Sequence, residues 1–223
     1  MKKIGIPGWV SQGVFGVNIS YIEYFRKFGE VVILQPDQKI EDLDLLVLPG
    51  GADLSPATFN SEISMHIGSS NPMLDYFDMN TLPWYIDKKI PVFGICRGAQ
   101  RLWVMKGGLL VPHFPNHKQS DYKEDLAHSL LFNGRKLSLR VTSRHHQAMI
   151  ETEPLDNIIK DEDDEIIEGF FSDEISGVQY HPEDNGDNDL LTPIVITKMI
   201  KKEKVDIKNI IETYKYSGYD FIS

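Results

Sequence analysis

"PVFGICRGAQ", residues 91–100, decides how this chain is read. An apolar run of strand length follows Pro91 and ends in Gly94-Ile95-Cys96-Arg97-Gly98. This G-x-C-x-G pattern is the thiol form of a nucleophile elbow, in which a strand turns sharply into a helix. Glycines flank the cysteine because larger side chains would collide within so tight a turn. A thiol placed there sits at the positive end of the helix dipole, which favours the thiolate. The Arg97 amide would then face the oxygen of a carbonyl attacked by Cys96. A cysteine after a strand is also at home as a buried apolar residue. Its partners must decide between the two readings.

The rest of the chain narrows the choice. Its 223 residues suffice for a substantial core and fit a single domain spanning residues 1–223. Cys96 is the only cysteine, which excludes an internal disulfide and four-thiolate zinc sites. The formal charge of −10 argues against nucleic acid as a partner. The opening MKKIGIPGWV is broken by Pro7 and Gly8, and no later run approaches a membrane span. The expectation is a soluble, cytoplasmic protein without a membrane partner.

Short apolar runs closed by Gly or Pro recur at KIGIPG, EVVILQP, DLLVLPGG and PVFGIC, and each reads as a strand. Helical patterns lie between them. In NISYIEYFRKFG, Ile19, Ile22, Phe25 and Phe28 are expected on one face, with Asn18 as N-cap and Gly29 as the stop. Residues 73–88 also read as helical, with Pro83 breaking or kinking them. Later, KLSLRVTS, DEIIEGFF and ISGVQYHP follow one another as strands, and the chain closes on helices. The order predicts an α/β fold of three layers: a mostly parallel central sheet, helices on both faces, and an antiparallel portion late in the chain.

A cysteine nucleophile needs a base and a group that orients the base. In GVQYHPED, His181 and Glu183 stand two apart, and extended backbone would put both on one side. Upstream, LVLPGGADLSP ends a strand in Pro49-Gly50-Gly51, whose amides lie open at the carboxyl edge of a parallel sheet. The Gly51 amide would complete an oxyanion hole with that of Arg97.

In this order, GGADLSP, GICRGAQ and GVQYHPE resemble the class I glutamine amidotransferase-like superfamily, a flavodoxin-like fold. With VTSRHHQAM, they look most like its γ-glutamyl-γ-aminobutyrate hydrolase branch, the C26 peptidases. The resemblance implies Cys96 as nucleophile, His181 as general acid and base, Glu183 as its orienting carboxylate, and Gly51 and Arg97 as oxyanion-hole amides. It also implies substrate contacts from Gly50, Gln100, Ser143, Arg144, His145, His146 and Gln147. Arg144 is the candidate partner for a substrate carboxylate or, equally, half of a surface salt bridge. His145 and His146 read alternatively as core histidines.

The implied partner is a small γ-glutamyl amide or glutamine, with no cofactor and no metal at the site. An alternative is a glutaminase subunit that delivers ammonia to a separate synthetase. Two departures bear on the leaving amine. Trp103 is bulky for its place after the elbow, and residues 69–89 lack an expected Arg-Asp pair. The acidic stretch KDEDDEIIE reads as a solvated turn, and EDNGDNDL as an acidic loop at the site entrance rather than a calcium loop.

Overall fold

The structure, a computed structural model, describes residues 1–56, 59, 68–115, 117, 120, 126–152, 155–185 and 189–215. In chain order, β1 (Lys3–Pro7), a hairpin of β2 (Trp9–Ser11) and β3 (Val14–Gly16), and α1 (Ile19–Phe25) lead to β4 (Glu30–Leu34) and β5 (Leu45–Leu48). A helical stretch then runs from α2 (Pro72–Tyr76) through a π-helical turn, Phe77–Thr81, into α3 (Leu82–Asp87). Next come β6 (Val92–Ile95), α4 (Arg97–Met105), β7 (Leu109–Val111), β8 (His128–Phe132) and β9 (Arg135–Val141). The described chain closes with β10 (Ala148–Ile150), β11 (Ile158–Asp161), β12 (Ile167–Phe170), β13 (Ile175–Val178), α5 (Leu191–Lys201) and α6 (Ile207–Lys215).

Nine strands form one mixed sheet in the order β4-β1-β5-β6-β13-β12-β11-β8-β9. From β4 to β13 every pairing is parallel, and from β13 to β9 every pairing is antiparallel. The α/β class, the layers and the late antiparallel portion all follow the sequence expectation. The sequence reading did not anticipate β8 and β11, which widen that portion.

Strand alternation divides the core in two. Leu45 and Val47 of β5 pack with Tyr21 and Phe25 of α1 and Val195 and Met199 of α5. Leu46 and Leu48 point the other way, toward Phe77, Leu82, Leu102 and Trp103. Both β5 and β6 are buried throughout, as strands covered on both faces must be.

Two local expectations need correction. α1 turns Tyr21, Tyr24 and Phe25 inward, whereas Ile19 is 62% exposed, and the helix ends at Phe25 rather than at Gly29. The aromatic rings offer more area to bury than the isoleucine at the helix start. Of the two effects expected of Pro83, the break does not occur, since the helix runs on through it to Asp87. The Leu82 amide reaches back to the Phe77 carbonyl, widening the turn just before the proline. That turn relieves the crowding a proline ring imposes on the preceding helical carbonyls.

Candidate active site

Three adjacent strands, β5, β6 and β13, end at the same edge of the sheet and deliver the candidate residues. Register pairs Leu48 with Gly94 and Ile95 with Val178, so Gly50, Cys96 and His181 emerge side by side. The Cys96 amide donates to the Val178 carbonyl at 2.8 Å, which fixes the elbow to β13.

Cys96 has φ 50° and ψ −110°, a backbone conformation that costs a side-chain-bearing residue about 1–3 kcal/mol. The flanking glycines are a steric requirement. A Cβ on Gly94 would stand 2.5 Å from the Ala99 nitrogen, and one on Gly98 would overlap the Leu48 carbonyl. Cys96 retains 6% of its surface exposed and His181 7%.

The His181 Nδ1–H donates to Glu183 Oε1 at 2.7 Å, and the same imidazole hydrogen-bonds the Cys96 sulfur. Burial pulls the His181 pKa down. The Glu183 charge and the hydrogen bonds to Cys96 and Glu183 outweigh it, and raise the pKa to about 10. The side chain of Glu183 is 1% exposed, so little solvent weakens this pair. The pair forms in a turn rather than in the extended backbone that the spacing predicts, because the Asp184 amide donates to the His181 carbonyl at 3.0 Å.

Sequence reasoning missed Tyr21. Its hydroxyl accepts the Gly50 amide at 3.0 Å and lies within electrostatic reach of Glu183. Burial, followed by the nearby charges of Glu183 and Cys96, holds its pKa well above the ordinary tyrosine value. Gly50 itself fills a gap: a Cβ there would stand 2.8 Å from both His181 Cε1 and the Tyr21 hydroxyl. The Gly50 amide is thus engaged, whereas the Gly51 amide meets no acceptor among the described residues. The Arg97 amide opens the first turn of α4, where no intrahelical acceptor exists.

The Arg97 side chain turns inward beneath the elbow. Its guanidinium pairs with Asp75 at 2.6 Å and Asp78 at 2.7 Å, and Arg97 and Asp78 are almost fully buried. The spacing of Asp75 and Asp78, one helical turn apart, was the available signal. Trp103, an anomaly by sequence, fits because Gly108 leaves room against its indole, whose Nε1–H donates to the Leu109 carbonyl at 3.0 Å.

The remaining candidates take the following places. The Gln100 amide nitrogen donates to the Gln147 carbonyl and to Gln179, both at 3.1 Å, and so secures the 147 segment. The Gln147 side chain accepts the Leu54 amide at 3.2 Å. Ser143 and His145 are buried and face inward, the latter with Nδ1 3.0 Å from the Gln147 carbonyl. His146 is partly exposed and sits 3.0 Å from Asp53, beside the Gly50-Gly51 turn. Arg144 pairs with Asp184, the salt-bridge arm of its two readings.

The expected acidic entrance loop is also corrected. Asp184 is buried against Arg144, and Asp189 is buried while accepting the Thr192 amide at 3.0 Å ahead of α5. Burial raises the Asp189 pKa to about 6. Asp187 lies outside the described residues. His181, Glu183 and Asp184 cluster closely enough to hold a cation, but each already has a partner in the His181–Glu183 or Arg144–Asp184 pair.

Comparison with known proteins gives the family of this chain. The Peptidase C26 profile matches residues 17–183. The chain is 28% identical over 186 residues to "Putative glutamine amidotransferase-like protein YvdE" of Lactococcus lactis subsp. lactis (strain IL1403), covering 74% of this chain and 79% of that one. It is 25% identical over 209 residues to "Aminodeoxychorismate/anthranilate synthase component 2" of Bacillus subtilis (strain 168), covering 87% and 90%. The solved structure of a glutamine amidotransferase from Thermotoga maritima superposes with a TM-score of 0.57 at 17% identity, covering 97% and 91%. The family match and these relatives place the chain in the class I glutamine amidotransferase-like superfamily. Within that superfamily the chain belongs to the peptidase C26 family, and it is an enzyme of that type. Among the described residues, no helix is long and apolar enough to cross a membrane.

Proposed function

We propose that this protein hydrolyses γ-glutamyl amide bonds, in glutamine or a γ-glutamyl amine, through a thioester on Cys96. The carrying observation is the hydrogen-bonded series Cys96–His181–Glu183 at one sheet edge. The Cys96 thiolate attacks the γ-carbonyl carbon, and the oxyanion forms toward the Gly51 and Arg97 amides. His181 gives its proton to the departing nitrogen as the C–N bond breaks. It then takes a proton from the water that opens the thioester and releases glutamate. Glu183, with Tyr21 behind it, keeps the imidazole oriented throughout. This chemistry calls on no cofactor. We further place residues 1–223 in a single domain acting in the cytoplasm.

A second reading, a glutaminase subunit feeding ammonia to a synthetase in trans, is favoured by the similarity to a synthase component 2. One assay separates the two. Purified protein is incubated with glutamine and a panel of γ-glutamyl amines, and released glutamate is measured against Cys96→Ala. Cys96-dependent release from one amine supports a free-standing hydrolase. Release only from glutamine, rising with an added synthetase, supports the subunit. Undiminished release by Cys96→Ala overturns both.

A further inference from the structure

The Gly50-Gly51 turn carries no side chain of its own, so the direction of the Gly51 amide depends on what holds the residues on either side. On the β5 side, the Tyr21 hydroxyl accepts the Gly50 amide at 3.0 Å. On the other side the chain is gathered at Asp53. Its carboxylate accepts the Gly68 amide at 2.7 Å, and its backbone forms a β-bridge with Ser70. The next amide, that of Leu54, donates to the Gln147 side chain at 3.2 Å. The Asp53 carboxylate also accepts the His146 Nε2–H, 3.1 and 3.0 Å from its two oxygens.

His146 is anchored in turn. Its carbonyl accepts the Phe114 amide at 2.8 Å, and its Nδ1 lies 3.4 Å from His113 Nδ1. Both ring nitrogens thus meet protein partners, although the family resemblance implies a substrate contact for this residue. The neighbouring Gln147 carbonyl is held by Gln100 of α4, the helix that begins with Arg97. The Asp53–His146 pair therefore joins the turn bearing the Gly51 amide to a segment braced on the helix bearing the Arg97 amide.

We propose that Asp53 and His146 are positioning residues for the oxyanion hole, their pair fixing the Gly51 amide relative to that of Arg97. The proposal rests on the thioester reading given above. Donors aimed in advance at the developing charge need no reorganisation, and a misplacement of about 1 Å costs on the order of a hundredfold in rate. The His146 side chain is 36% exposed and that of Asp53 16%, so truncating either opens no cavity in the core.

Two reagents separate the hole from the thiolate. With glutamate γ-semialdehyde, the Cys96 sulfur adds to the aldehyde carbon, the C=O electron pair moves onto oxygen, and the thiol proton completes the adduct. That oxygen sits where the oxyanion forms. Iodoacetamide instead loses iodide to the sulfur and forms no oxyanion. The full chain, Asp53→Ala, Asp53→Asn, His146→Gln and the double variant Asp53→Ala/His146→Gln are compared by glutamate release, inhibition by the semialdehyde and alkylation rate. Asp53→Ala and His146→Gln should each lower kcat about tenfold to a hundredfold and weaken inhibition by the same factor. KM and the alkylation rate should stay within about threefold, and the double variant should lose no more than the worse single one. Asp53→Asn, which keeps a carbonyl acceptor, should recover most of the loss. His146→Gln leaves the Asp53 bond to Gly68 in place and gives the reading even where Asp53→Ala fails to fold. An unchanged kcat in His146→Gln overturns the proposal. So does a rise in KM alone, which would make His146 a substrate contact, or a parallel fall in alkylation, which would put the fault at the thiolate. No glutamate from any γ-glutamyl amide with the unmodified protein, while alkylation proceeds, would overturn the thioester reading and this proposal with it.

Discussion

The Tyr21 hydroxyl accepts the Gly50 amide at 3.0 Å, a contact that ties α1 to the turn after β5. That hydroxyl also lies within reach of the Glu183 charge, so one side chain holds the glycine turn and stands beside the His–Glu pair. Tyr21→Phe leaves the buried Gly50 amide without its acceptor, at a cost of about 1–3 kcal/mol. Urea denaturation should show this loss, together with reduced glutamate release. An unchanged midpoint would detach α1 from the support of the site.

The His181 pair has a pH signature. Its folded pKa of about 10 lies above the ordinary histidine value of 6.5, so the unfolded chain releases this proton first. The stabilisation is complete below about pH 6.5, declines as pH rises, and is lost beyond about pH 10. Glu183→Gln removes a main cause of the raised pKa, and its stability should vary less across this window. Denaturation curves taken from pH 6 to pH 10 compare the two slopes. Equal slopes would exclude a Glu183 contribution.

At the elbow, Gly98→Ala pushes a methyl group into the Leu48 carbonyl, which is backbone and cannot rotate away. Gly16→Ala, whose Cβ meets nothing within 4 Å, serves as the control. The first should lose more than about 3 kcal/mol or fail to accumulate, and the second should change by less than about 1 kcal/mol. Thermal unfolding checks both.

Asp78→Ala withdraws one of the two carboxylates that neutralise the buried Arg97 guanidinium. The expected loss is about 3–5 kcal/mol, because a buried charge is left with one partner. Glu41→Ala breaks an exposed pair with Lys88 and should leave the melting temperature essentially unchanged.

Local chemistry made much of this protein legible in its sequence. The glycines at 94 and 98, the Gly50-Gly51 turn and the His-Pro-Glu run each announce a function within a few residues, and the structure sets them side by side. What stayed hidden depends on distant segments meeting. Tyr21 read as one helical residue among several, since nothing nearby in sequence marks its contact with Gly50 or Glu183. Asp75 and Asp78 gain their meaning only when Arg97 folds beneath them. The turn at 160–168 was placed correctly, but charge alone predicts solvent, and the inward direction of Asp161 and Asp164 depends on imidazoles contributed by residues 128 and 117. Pro83 was read as breaking or kinking its helix, and the widened turn that accommodates it leaves no mark in a hydrophobic pattern.

The backbone at position 96 suits glycine better than the residue that occupies it. A Cys96→Gly chain would escape the conformational penalty while giving up the sulfur, so heat resistance and turnover make opposite demands on this one position. Selection for thermal endurance alone would erase the thiol, and under the nucleophile role proposed for Cys96 its presence marks a place where activity outweighs stability.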